Sequence, residues 1–178
     1  MRRQRRARGE NELGLYASNQ EIESKLMSKK TPRTVGDILK IDLKNGKYGF
    51  ARVLPSILCA FYDIQTEVAP NIDYIISRPV LFKIWVMDYS KNADWQVIGN
   101  RALEPNLKII PLFCKQDIIS KKLSIHRDDG NDIPATLAEC EGLEIAAVWS
   151  ACHIEDRLRD HFAGQKNKWV ESIKIKIS

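Results

Sequence analysis

The chain is poor in the residues and spacings on which most enzymatic chemistry depends. Its 178 residues include three histidines and four cysteines, at 59, 114, 140 and 152. No two cysteines stand in C-x-x-C spacing, which removes the usual dithiol and zinc motifs. Their neighbours are apolar (Leu58, Ala60, Phe113), so they read as buried free thiols, suited to a reducing cytoplasm. No G-x-S-x-G, S-x-x-K or H-E-x-x-H occurs, nor a G-x-x-x-x-G-K-[ST] or G-x-G-x-x-G phosphate cradle. No apolar run approaches the ~18–20 residues of a membrane helix. The longest candidate, 79–87, is interrupted by Lys83. The arginine-rich start is followed by no apolar stretch and does not read as a secretory signal.

A strongly basic folded surface is also lacking. The formal net charge of +5 comes mostly from residues 1–10, where five arginines face one Glu10. The remainder is nearly neutral, so the totals argue neither for a nucleic-acid surface nor for an acidic decoy. Residues 1–35 read as a basic, flexible arm with a weak helix over 19–30, ended by Thr31-Pro32. An internal start at Met27 would make the first 26 residues an over-long reading frame. Residues 36–178 read as one domain.

What is present is β-texture followed by a helix. Residues 38–43 alternate, Asn45-Gly46 is a strong hairpin signal, and 47–54 forms the returning strand. Residues 57–64 and 79–89 are apolar enough for central, doubly covered strands. A turn over 90–94 precedes a strand at 95–98, and 107–114 and 123–126 read as shorter strands. Thr136 and Glu139 form a capping box before one helical turn that Gly142 ends. Residues 143–149 suit a strand or a buried extension. Ser150 is placed to cap a helix through Phe162, with Ile154, Leu158 and Phe162 on its inner face. Residues 169–177 alternate as an edge strand guarded by Lys174 and Lys176. The sum is an α+β domain, mainly antiparallel sheet with the option of a partial barrel, carrying one substantial C-terminal helix.

Few groups are spaced for chemistry. His153 and His161 lie eight residues apart on one helix, ~12 Å along its axis, too far to share a metal. Their helix reads as a solvated, salt-bridged face. Residues 126–132 are Asp-rich but lack the calcium-loop ligand order, so a loop is expected. Asp63, Asp88 and Asp117 each end an apolar run and suit turns or edges, although strand-end carboxylates can gather in space. Most aromatics lie inside apolar strands. Only residues 47–52 resemble a nucleic-acid stacking platform, and core packing suits them better.

The ordered set of short stretches carries more information. Gly36-Asp37-Ile38-Leu39-Lys40-Ile41 precedes Tyr48-Gly49-Phe50-Ala51-Arg52-Val53-Leu54 and Ala60-Phe61-Tyr62-Asp63-Ile64. Trp95-Gln96-Val97-Ile98-Gly99, Phe113-Cys114-Lys115-Gln116-Asp117 and Pro134-Ala135-Thr136 follow. Then come Glu139-Cys140-Glu141-Gly142-Leu143-Glu144, Ala147-Val148-Trp149, the segment from His153 to Phe162, and Asn167-Lys168-Trp169. In this order, over residues 36–175, the chain resembles the immunity protein 26 family of bacterial polymorphic toxin systems.

The resemblance implies a mainly β cytoplasmic antidote that neutralises a cognate toxin by direct one-to-one binding. It carries over no catalytic residues, and the missing motifs and apolar runs add the expectation of no metal, no cofactor and no membrane partner. Candidate toxin contacts lie on the helix and the strand-end loops: Tyr62, Asp63, Asp117, Glu141, Glu144, Glu155, Asp156, Arg157, Arg159 and Asp160. The acidic members would suit a toxin with a basic active site. The rival readings are a nucleic-acid-binding module led by the arginine arm and a carboxylate-based hydrolase.

Overall fold

Alternating burial along successive strands builds two sheets. In a computed structural model, residues 33–87, 95–127 and 129–176 are described. Residues 1–32, Asp88 and the 90–94 turn lie outside them, as does Ile177, and with them the expected helix over 19–30 and most of the expected arm. The strands are β1 (Asp37–Asp42), β2 (Tyr48–Val53), β3 (Leu58–Thr66), β4 (Val80–Val86), β5 (Gln96–Asn100), β6 (Phe113–Gln116), β7 (Leu123–His126), β8 (Asp132–Ala135), β9 (Glu144–Ile145) and β10 (Val148–Trp149). The helices are α1 (Ile72–Ile76), α2 (Pro105–Lys108), α3 (Leu137–Cys140), α4 (Ala151–Phe162) and α5 (Lys168–Ile173).

The large sheet has the order β10-β4-β3-β2-β1-β5, and the small one β8-β7-β6-β9. All pairings are antiparallel except β10 with β4 and β9 with β6. Both sheets stay open, because β5 and β10 end at opposite edges of the large one. The strand at 57–64 is central, as its two-sided apolar pattern predicts. The β1–β2 hairpin turns at Asn45-Gly46, with Gly46 at φ 79°.

One face of the large sheet packs Leu39, Ile41, Phe61, Ile84 and Val86 against Trp149 and against Ile154 and Leu158 of α4. The helix lies so close that a Cβ on Gly49 would stand 3.2 Å from the Leu158 side chain. The opposite face holds Ile38, Phe50 and Tyr62 under Ile75 of α1. Beside them, Leu58 and Ala60 pack under Leu107 and Phe113. Arg52 lies on this second face, fully buried. Its Nη2 donates to the carbonyls of Arg101 and Ala102 at 2.7 and 2.8 Å.

Three expectations need correction, and the expected loop after His126 gains a strand beyond it. The edge strand expected over 169–177 is absent from the described residues 169–176. Asn167 caps α5 by accepting from the Trp169 and Val170 amides, and Trp169, Val170 and Ile173 pack at helical spacing beside the core. The alternation of isoleucines begins only where this helix ends. Residues 107–114 are not one strand either: Pro105 opens the turn α2, and β6 starts only at Phe113. Residues 126–132 close a hairpin whose second arm, β8, was not expected. Ser150 occupies the N-cap position of α4, but its side chain makes no capping bond. The capping box of Thr136 and Glu139 forms as expected.

Cys59, Cys114 and Cys140 are buried and free, while Cys152 is exposed on α4. Burial pushes the Cys59 thiol up to about 12. Burial and the neighbouring Cys140 thiol do the same to Cys114. A thiol reagent is therefore expected to label Cys152 at once and the other three only on denaturation. Two or more fast equivalents in the native protein would contradict this packing.

Candidate functional site

The charged side chains of α4 are tied down rather than presented to solvent. Arg157 reaches off the helix to Glu144 on β9, with Nη1 and Nη2 donating to the two carboxylate oxygens at 3.0 and 2.5 Å. Its guanidinium lies 3.8 Å from the Phe82 ring centroid and 5.1 Å from that of Trp149. Glu155 accepts from the Trp95 indole at 2.9 Å. Asp156 accepts from the Trp169 indole at 2.9 Å and pairs with Arg159. Arg159 also donates to the Leu43 carbonyl. Asp160 accepts from Asn167. The Trp169 hydrogen bond is the main cause holding the Asp156 carboxyl below the usual range, with Arg159 adding to it. Its contribution to stability is thus complete above the ordinary carboxylate pKa and is lost as pH falls through the lowered one.

The solvated face expected for this helix is corrected accordingly. Its ions join α4 to β9, to Trp95 and to α5. His153 is no exception, stacking on Trp169 with centroids 3.6 Å apart.

The other predicted contacts are scattered. Tyr62 is buried, and burial raises its phenol while Arg52 offsets the rise. Asp63 is exposed at the outer part of β3 and faces His161 at 3.3 Å. Asp117 closes its own turn, accepting from the amides of Ile119 and Ser120 and from the Ser120 hydroxyl. Glu141 is exposed just after α3. Nothing gathers Asp63 and Asp117 into one site, and Asp88 lies outside the described residues.

A groove not foreseen from sequence lies where the two sheets meet. Residues 144–149 run first beside β6 and then beside β4, joining the sheets. The Ala146 amide donates to the Cys114 carbonyl, and the Met87 amide to that of Trp149, each at 2.7 Å. Beside this seam is a cavity of about 440 Å³, lined by Ile57, Trp85, Lys115, His126, Ala146 and Val148 among others. Trp85 is stacked on Phe113 at 3.9 Å, which fixes the indole in the cavity wall. Lys115 and His126 both bind Asp132, holding its carboxyl below the usual range.

The groove's rim is strained. Ser56 and Ile57 make the two-residue β2–β3 turn with φ of 58° and 57°. Such turns favour Asn-Gly. A left-handed non-glycine residue costs about 1–3 kcal/mol, and Ile57 is β-branched yet 48% exposed. Pro55 in the sequence signals an interruption there, but no residue type announces this conformation.

The model of the family described as Immunity protein 26 matches residues 34–125. The chain belongs to this family. No curated protein and no solved structure matches it. The immunity protein 26 match spans β1 to β7, so it covers the body of the large sheet, the Ser56–Ile57 turn, Trp85 and Lys115. The seam, α4 and α5 follow it in the chain. Most candidate contacts quoted for the family resemblance, from Glu141 to Asp160, therefore lie beyond the matched residues. No helix among the described residues is long and apolar enough to cross a membrane.

Proposed function

We propose that the protein is a cytoplasmic, non-enzymatic antidote that neutralises the toxin domain of a bacterial polymorphic toxin system by binding it one to one. The observation that carries this is membership of the immunity protein 26 family across β1–β7. The architecture supports it. Two sheets meeting in one shared core make a packed scaffold, and a stoichiometric inhibitor needs such a scaffold and one complementary patch. Interfaces of this kind bury ~1,200–2,000 Å² in total around a few anchor side chains.

The test is a titration of the activity of the toxin domain encoded beside this chain. Inhibition is expected to rise linearly with added protein and to saturate at equimolar amounts. Full protection at one-tenth stoichiometry would show turnover and sink the binding mechanism. The acidic contacts on α4 remain the alternative docking surface. Asp63, Asp117 and Glu141 are the exposed members of the predicted set that bind neither an indole nor an arginine.

A further inference from the structure

The geometry points to the groove at the seam as the face on which the toxin docks, and to a toxin that presents an apolar protrusion flanked by carboxylates. This rests on reading the protein as a toxin-binding antidote, and it assigns that activity a surface and a partner chemistry.

Three observations converge on the face. The first is continuity. The cavity beside Trp85 and a second cavity of about 200 Å³ share Lys115 and Ala146 as lining residues. The second is lined further along by Ile118, Lys121, Lys174 and Lys176, so one surface runs from the β2–β3 turn to the β6–β7 turn.

The second observation is exposed apolar area. Ile57 and Val148 are 48% and 49% exposed at one end, and Ile118 and Ile119 are 84% and 91% exposed at the other. The β6–β7 turn is closed by three hydrogen bonds to Asp117 and displays its two isoleucines at the surface. Large exposed apolar side chains grouped at the two ends of one lined surface mark an interaction site, and anchors held by a closed turn bind at low entropic cost.

The third is charge. Carboxylates on this face are already engaged: Asp132 by Lys115 and His126, Asp117 by its own turn, Glu171 by Lys174. Lys115, Lys121, Lys174 and Lys176 line the two cavities against Asp117, with Asp132 and Glu171 beside them, which leaves the rim cationic. An acidic rim on the partner complements it. The α4 face differs, since its ions are spent on Trp95, Trp169 and β9.

The experiment measures binding of the full chain to the toxin domain encoded beside it, by calorimetry at two salt concentrations. Ile118→Asp/Ile119→Asp is expected to weaken binding about 30-fold or more, as loss of an anchor does, and Ile118→Leu/Ile119→Leu to restore it. Ile57→Gly relieves the strained turn, so it should keep or raise the melting temperature while weakening binding. Lys121→Glu/Lys176→Glu should weaken binding most at low salt. If the wild type binds tightly and every variant stays within about threefold of it, the toxin docks elsewhere and only the docking face is overturned. If the wild type does not bind, both readings fall. If the same variants instead abolish self-association seen by sedimentation, or binding of a single-stranded RNA oligonucleotide, while sparing the toxin, the face belongs to a second copy or to nucleic acid, and the proposal is overturned.

Discussion

Replacing Arg52 with alanine is expected to lower the unfolding free energy by about 3–5 kcal/mol, the loss seen when one partner is removed from a buried polar cluster. Arg52 is 0% exposed. Two effects add in this variant. The carbonyls of Arg101 and Ala102 lose the donor that holds the 101–102 backbone on the sheet, and a large cavity opens between Phe50 and Leu54. Glu104 contributes less, because its nearest carboxylate oxygen, though buried, stands 3.9 Å from the guanidinium and makes no hydrogen bond to it. Glu104→Gln should therefore cost no more than ~1 kcal/mol. Arg52→Met refills most of the volume without restoring a donor, so the gap between Met and Ala measures packing, and the remainder measures the orphaned carbonyls. Urea midpoints at unchanged m-value give all three numbers. A Glu104→Gln loss equal to that of Arg52→Ala would mean the ion pair, not the carbonyl clamp, holds this segment.

Arg157→Ala should cost about 3 kcal/mol, for different reasons. The side chain is 13% exposed and makes a two-pronged bond to a Glu144 that is itself only 28% exposed. Truncation leaves that carboxylate half-buried without its cation and removes the guanidinium from the Phe82 and Trp149 rings, a contact that contributes up to about 2 kcal/mol when desolvated. Arg157→Lys keeps the charge but neither the fork nor the flat stacking surface. About half the loss should remain, again read from urea midpoints. If lysine were fully equivalent, simple Coulomb attraction would explain the site. The loss would also fall on β9, so the groove should suffer along with global stability.

How much of this was legible depended on whether the deciding contact was local. The Asn45-Gly46 turn, the capping box of Thr136 and Glu139, and the inner face Ile154–Leu158–Phe162 are short-range patterns, and each stands where the pattern put it. The 169–177 segment misled because three isoleucines at period two outweighed one Asn167, whose side-chain oxygen caps a helix. The candidate contacts on α4 misled in another way. Charge density was read as solvent exposure, but Glu155 and Asp156 each find an indole far away in sequence or on the next helix. Arg52 sits between apolar neighbours in a strand, and nothing in that stretch says that two carbonyls some fifty residues later will receive it. The seam groove is assembled from five separate segments, and its strained turn bears a residue that turn preferences argue against.

The order of these segments along the chain has a consequence for biosynthesis. β4 and β6 emerge from the ribosome well before residues 144–149, which will pair with both. Until then each keeps an open edge, with Trp85 and Val86 on one and Phe113 and Cys114 on the other. Unpaired apolar edges are templates for intermolecular pairing. A nascent chain stalled or clipped before residue 144 would thus carry the whole family-matched body and still be prone to aggregate. The six residues of the seam cover the Trp85–Val86 end of one edge and the Phe113–Cys114 end of the other in a single pass.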